Sequence, residues 1–495
     1  MSMNNFKILS EKPAATIISA SMIERRMDAG CFQPTYLKNE SNLLNGRVPC
    51  SRLGSLYKKG NYGSLPDSVD YASDGIALIR GTDLQSMSVN LSEAVRVPEY
   101  YYDQFKKAQI KTGDILMLVK GASIDRSDSV AMFPDTDDKA IANGSVFIIR
   151  VNEKTVNSKY LLAVMTSGAF LLQKRRGSSN TGALYNDLDT IKAFIVPLPD
   201  PKTQDHVGNK VKTAENCREE AIRCESQAQR IFKKYWSATT ISLSGSFTTT
   251  TDIGVLDNDR LDPEFYRNDL LSMRDRVRKN KYGHVRVGEY GKSFSGKTPS
   301  DKGDDDSLCE IVRVANLTSR GLNWSNRLFG TIGKSEKGLL KDGDIIVCKD
   351  AHQKYYIGQQ VDIYCRSNHH AVASSETLVI RFQREHINPF AALIYLRSKE
   401  GYAAFQQQIR GTSAHLYPTD VEKIVVPKIP DDAEEQIEQL IRRAEHCRIR
   451  AYALTDEAKS DVQALIEGKL DTDAILSGKL KAPTWEDIEK ELEGI

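Results

Sequence analysis

The chain has no CxxC pair, no run of 18 apolar residues and almost no net charge, +2 over 495 residues. Each absence excludes something. Eight scattered cysteines in so long a chain do not make a disulfide framework, which fits a reducing cytoplasm. Without a long apolar run, no membrane-crossing helix is expected. The opening MSMNNFKILSEK lacks a basic segment followed by an apolar core, so no secretory leader is expected. A near-neutral balance excludes a blanket polycation, so a nucleic-acid binder would have to concentrate its basic residues locally. At 40% hydrophobic and 27% charged residues the composition is globular. The length exceeds one ordinary core and suggests two to four domains.

Enzyme motifs are equally scarce. An adenine methyltransferase needs a [DN]PP[YF] motif for the extruded base; the nearest match, Asn388-Pro389-Phe390, lacks the second proline and opens a helix. Residues 291–298, GKSFSGKT, fit the phosphate-cradling pattern G-x-x-x-x-G-K-[ST]. That pattern works only after a buried strand and before a helix, whereas here Lys297-Thr298 runs into Pro299 and an aspartate-rich stretch. Cys348, His352, Cys365 and His369 have the ligand types for tetrahedral zinc. However, the first half of the chain has Leu118 where the second has Cys348. The expectation is a protein with no cofactor and no metal.

What is present is a duplication. RMDAGCF (26–32) recurs as RLDPEFY (260–266), ALIRGTDL (77–84) as EIVRVANL (310–317), and KTGDILML (111–118) as KDGDIIVC (341–348). AIANGSVFIIRV recurs as AVASSETLVIRF, RGSSNTGALYNDL as RGTSAHLYPTDV, FIVPLPD as IVVPKIPD, and AENCREEA as AEHCRIRA. The order is conserved and the offsets stay between 230 and 234, which marks a repeated domain rather than a solenoid.

Each half reads as short β runs, then a helix (KYLLAVMTSGAFLLQKR or PFAALIYLRSKEGYAAFQQQIR), then a proline-bearing edge strand. A long polar helix follows. Val207, Val211, Ala214, Cys217, Ala221, Cys224, Ala228 and Ile231 form a heptad seam, as do Ile437, Ile441, Ala444, Cys447, Ala451, Leu454 and Ala458. The expected division is an arm 1–25, a domain 26–200, a helix 201–236, a Ser/Thr/Gly linker 237–259, a domain 260–430, a helix 431–466 and an acidic tail 467–495. The tail reads as either a solvated end or a segment that docks on a partner.

Basic, amide and hydroxyl side chains cluster in loops just after the β runs. In the first half these are Arg80, Thr82, Asp83, Lys120, Ser123, Arg126, Asn143, Lys174, Arg175, Arg176, Ser178, Ser179, Asn180 and Tyr185. In the second they are Arg313, Asn316, Thr318, Lys349, His352, Lys354, Tyr355, His369, Arg410, Thr412, Ser413, His415 and Tyr417. Arg and Lys neutralise phosphates, and Arg, Asn and Gln read base edges. The pattern is expected to bind DNA.

On these motifs, over residues 20–466, the chain resembles the specificity subunits of type I restriction–modification systems. The resemblance implies a mixed α+β fold: two repeated α/β target-recognition domains separated by two long antiparallel coiled-coil helices. It implies that each domain reads one half of a split, asymmetric site in double-stranded DNA. The implied partners are two adenine methyltransferase subunits and motor–nuclease subunits, with all catalysis in those partners.

Overall fold

The computed structural model describes residues 6–11, 14–23, 28–65, 68–91, 93–178, 184–237, 260–299, 301–303, 308–318, 320–325, 327–331, 338–366, 369–411 and 414–494. The fold is mixed α/β. The chain divides into two compact units, 1–215 with 453–488 and 216–452 with 489–495.

The first unit holds a four-stranded antiparallel sheet in the order Val130–Met132, Ile115–Leu118, Val146–Val151, Tyr57–Tyr62. A second sheet runs Val95–Val97, Ile76–Ile79, Ala140–Ala142, Gln109–Ile110, and its central pair is parallel. The runs IALI and ILML are buried at every position, as expected of strands covered on both faces.

The second unit repeats this plan in register. Its sheet runs Gly291–Ser295, Thr377–Phe382, Ile345–Cys348, Val361–Ile363. Ile345 faces Ile380 as Ile115 faces Ile149. The parallel pair also recurs, with Glu310 opposite Ala371 where the first unit has Ala77 opposite Ala140. Only the flanks of this second sheet differ, Lys302–Gly303 and Phe329–Gly330 lying on one side. The proline-bearing strands each close a two-stranded sheet, Ile195–Pro197 on Cys50–Arg52 and Val425–Pro427 on His284–Arg286.

A feature hidden in the repeated K-x-G-D motifs holds both sheets. Gly113 (φ +78°) and Gly343 (φ +87°) adopt the left-handed conformation that glycine tolerates best. Each turn delivers a buried aspartate. Asp114 accepts from Arg150 Nε at 2.8 Å and Nη2 at 2.6 Å, and Asp344 accepts from Arg381 at 2.6 Å through both nitrogens. Removing one partner of such a buried, bidentate pair costs about 3–5 kcal/mol. RLD has a similar role: Arg260, 2% exposed, pairs with Asp262 and donates to the carbonyls of Gln407, Gln408 and Ile409. Arg26 of the first repeat lies outside the described residues.

The helix expected after the third β run is broken in both units, into Ser158–Thr166 with Gly168–Arg176, and Pro389–Leu396 with Lys399–Gln408. The cause is a serine at each break. Ser167 Oγ accepts from Phe170 N and Ser398 Oγ from Gly401 N, so each caps a new helix and ends the old one.

The long helices span Pro201–Tyr235 and Asp431–Ile466, about 50 Å each. Every seam residue is buried, none more than 9% exposed. Their direction is antiparallel within each unit. In the first, Lys210 Nζ meets Asp461 at 2.7 Å and Glu457 at 3.4 Å, while His206 meets Asp461 at 3.4 Å. In the second, Cys217 faces Cys447 and Arg443 Nε donates to Glu220 at 2.5 Å. Small residues on both seams permit the close approach.

The acidic tail folds back on its own chain instead of standing in solvent. In the first unit Ile475 is 6% and Ile488 0% exposed, and Thr213 donates to Pro483 O at 2.9 Å. In the second unit Glu491 takes His446 at 3.0 Å and Arg450 at 3.1 Å. Among the described residues no helix is long and apolar enough to cross a membrane.

Candidate nucleic-acid interface

In each unit the loop after the central strand is pinned to the loop after the second short helix. Lys120 bridges Tyr185 through the backbone, with Gly121 N donating to Leu184 O at 3.0 Å. At the same offset of 230, Asp350 bridges His415, and Leu416 N donates to Lys349 O at 3.2 Å. Two corresponding loops are therefore brought together in each unit, on one framework.

The side chains they present differ. In the first unit Lys120, Arg126 and Arg175 are exposed, and Ser123 is half-buried beside them. Arg126 pairs with Asp128 at 2.9 Å and Arg175 with Asp125 at 3.7 Å. Exposed pairs of this kind are worth ~0–1 kcal/mol, so a phosphate can replace the carboxylate at little cost. Tyr185 stacks on Tyr62, centroids 6.1 Å apart. In the second unit the exposed groups are aromatic and imidazole. Tyr355, Tyr356 and Tyr417 are 49%, 48% and 48% exposed, and His352 is exposed near them in sequence. Such rings offer faces for bases or thymine methyl groups. Lys354 pairs with Glu264, Lys349 with Asp350 at 3.1 Å, and His415 with Asp350.

Several expected contact residues also hold their own unit together, Asp83, Asn316 and Ser178 from buried positions and Asn143, Thr318, Arg176 and Arg410 from partly exposed ones. Asp83 (4% exposed) caps its own turn, accepting from Arg80 N at 2.8 Å and from the Arg80 guanidinium at 3.1 Å. Asn316 (3% exposed) does the same for Arg313 N at 2.9 Å. Thr82, between them in the first turn, stays exposed. Asn143 Oδ1 accepts from Ser145 Oγ at 2.7 Å, and Thr318 Oγ1 donates to Gly321 O at 2.6 Å. Ser178, 1% exposed, donates to Arg175 O. Arg176 holds Glu40 at 2.8 Å and Cys31 O at 2.9 Å, and Arg410 holds the buried carboxylate of Asp420. Ser179, Asn180, Thr412 and Ser413 lie outside the described residues.

Lys174 is fully buried beneath the first loop, donating to Ser129 Oγ at 2.7 Å. Burial lowers its pKa to about 7, against the opposing pull of Asp125 and Asp128.

The enzyme-like motifs resolve into structure. Gly291–Ser295, the start of the phosphate-loop match, is itself a strand paired with Thr377–Phe382, and no helix follows Thr298 directly. This overturns a phosphate-cradling loop at 291–298. Asn388 caps the helix Pro389–Leu396, its Oδ1 accepting from Phe390 N at 2.9 Å. His369 is held by buried Glu310 at 2.9 Å and by Tyr364 at 3.0 Å. Burial works to raise the Glu310 pKa, but His369 and Arg327 keep it below the usual carboxylate value. Cys348 donates to Asp350 O, and among the described residues no group of three or more His, Cys, Asp or Glu is placed to hold a metal.

No family model and no curated protein matches the chain. Among solved structures, the chain is similar to the type I restriction–modification S subunit from M. genitalium. That match covers 88% of this chain and 96% of the other, at 12% identity and TM-score 0.37. The HsdS subunit from Thermoanaerobacter tengcongensis is similar over 85% of this chain and 96% of its own, at 14% identity and TM-score 0.27. A structure described as the basis of complex assembly and conformational transition of the type I R-M system is similar over 86% and 98%, at 14% identity and TM-score 0.29.

Proposed function

We propose that this chain is a non-catalytic, sequence-specific DNA-recognition subunit. Each unit reads one half of a bipartite, asymmetric target, and the chain directs partner adenine methyltransferase and motor–nuclease subunits to it. The observation that carries the reading is the duplicated pair of loops. One framework, repeated in register, presents cations in one unit and aromatic and imidazole groups in the other. A scaffold with duplicated protein-binding domains would have no need of such unlike tips on so constant a frame. In this reading the long helices fix the interval between the half-sites, so the gap in the target is fixed in length and free in sequence.

The test is an exchange of residues 260–430 for the same domain of a relative, followed by mapping of the methylated motif. One half-site should change and the other should stay. A motif that changes in both halves, or in neither, contradicts modular readout.

A further inference from the structure

An open groove of about 620 Å³ in the second unit lies away from the paired loops. It is lined by Tyr235, Trp236, Arg276, Lys279, Asn280 and Lys281, together with one carboxylate, Asp275, and two serines. Two helix ends converge here. Arg276 lines the groove, and Lys233, Lys234 and Arg278 stand in the same two last turns, next in sequence to its lining residues. Tyr235 touches Tyr282, centroids 5.7 Å apart, and Lys281 Nζ sits 4.6 Å from the Tyr282 ring centroid.

Cations at helix C-termini are favourable in any protein, so the duplication supplies the control. The strand His284–Arg286 corresponds to Cys50–Arg52 at an offset of 234. At that offset Asn42, Leu44 and Asn45 stand where this unit has Arg276, Arg278 and Lys279, and only Arg47 answers Lys281. On the long helices, at an offset of 230, Gln463 and Ala464 stand where this unit has Lys233 and Lys234. The same helix–strand frame therefore forms without the charge, so folding does not require it. Arg276 is held by buried Glu400 at 3.0 Å and Arg278 by Asp275 at 3.8 Å. Lys233, Lys234, Lys279 and Lys281 are exposed, and no ion pair to any of them is found among the described residues.

We propose that this groove binds the phosphate backbone of DNA flanking the target, without regard to sequence. The groove is open rather than enclosed, and lysines act as point charges on phosphate rather than as shaped receptors. The helix Asn268–Arg278 starts close in sequence to Glu264, which pairs with Lys354 of the loop 349–359, and extends about 16 Å to the groove. That distance is about five base pairs of rise, at 3.4 Å each. This inference rests on the reading of the second unit as a DNA reader.

The test uses the full chain and a 40-base-pair duplex of random sequence, with Lys233→Gln, Lys234→Ala, Lys279→Asn and Lys281→Ala combined. Three of these copy the first unit, and a thermal melt checks folding. Four lost phosphate contacts should lower the slope of log K against log salt by about 3.6. Between 50 and 200 mM salt the wild type should then lose roughly a hundredfold more affinity than the variant. The preference for target over random duplex should stay unchanged. Equal slopes overturn the proposal, and equal slopes with lost partner assembly would reassign the groove to an acidic protein surface. A wild type that binds no duplex at all would overturn the function reading itself.

Discussion

Arg410→Ala separates two roles that the sequence leaves equivalent. Arg176 and Arg410 occupy matching positions before matching loops and look like matching phosphate contacts. In the structure Arg410 holds Asp420, whose carboxylate is 1% exposed, while Arg176 holds Glu40, which is 32% exposed. Removing one partner of a buried pair costs about 3–5 kcal/mol because the other charge is left buried and uncompensated. The Arg410 side chain is itself 32% exposed and Lys423 lies 3.9 Å from Asp420, so the cost is expected to fall to the bottom of that range or just below it, about 2–3 kcal/mol. Arg176→Ala leaves a carboxylate that water can reach and should cost about 1 kcal/mol. For a unit of this size each kcal/mol moves the melting temperature by roughly 2–4 °C. Differential scanning calorimetry should therefore show the second unit melting ~4–12 °C lower in Arg410→Ala, with a much smaller change in Arg176→Ala. Asp420→Asn should behave like Arg410→Ala. A variant that melts like wild type but loses DNA affinity would refute this reasoning and restore Arg410 to the interface.

Lys174→Met should flatten the pH dependence of stability. The native Lys174 titrates at about 7 and the unfolded one near 10.5, so the unfolded state binds the extra proton between those values. Wild-type stability should rise with pH across that window by up to about 5 kcal/mol relative to the variant, in denaturant titrations at several pH values; parallel curves would contradict the burial of a neutral amine. Lys120→Ala with Arg126→Ala should reduce the salt slope of DNA binding by about 2 without changing the melting temperature, and an unchanged slope would remove this loop from the phosphate path. A seven-residue insertion must be made in both long helices, after Glu219 and after Arg443, because an insertion in one alone breaks the Glu220–Arg443 register. The paired insertion should lengthen the gap in the methylated motif by about 3 base pairs, from about 10 Å of added helix, or abolish methylation, and full activity with the old gap would end the idea that the helices set the spacing.

Much of the fold was legible because its signals are periodic. The seam residues announced two long helices, since a heptad of small apolar side chains is buried against a helical partner. The apolar runs placed the strands, and the duplication placed the loops. Individual roles in those loops were not legible. Asp83 and Asn316 read as polar contact residues, yet turn geometry buries both. The partner of Arg176 is Glu40, far away in sequence, so no local pattern announces the pair. Lys174 belongs to a KRR run that looks solvent-facing, and only the phase of its helix turns it inward. The buried Asp114–Arg150 and Asp344–Arg381 pairs did carry a signal, an aspartate just before one apolar strand and an arginine inside another, repeated at matching positions. A charge repeated in a hydrophobic setting indicates a paired one.

The most direct measurement is selection from a random duplex library by the purified chain together with the adenine methyltransferase proposed as its partner. The enriched motif should contain two unlike short half-sites separated by a gap of constant length and unconstrained sequence. A single contiguous motif, two identical half-sites, or no enrichment over random duplex would contradict the account.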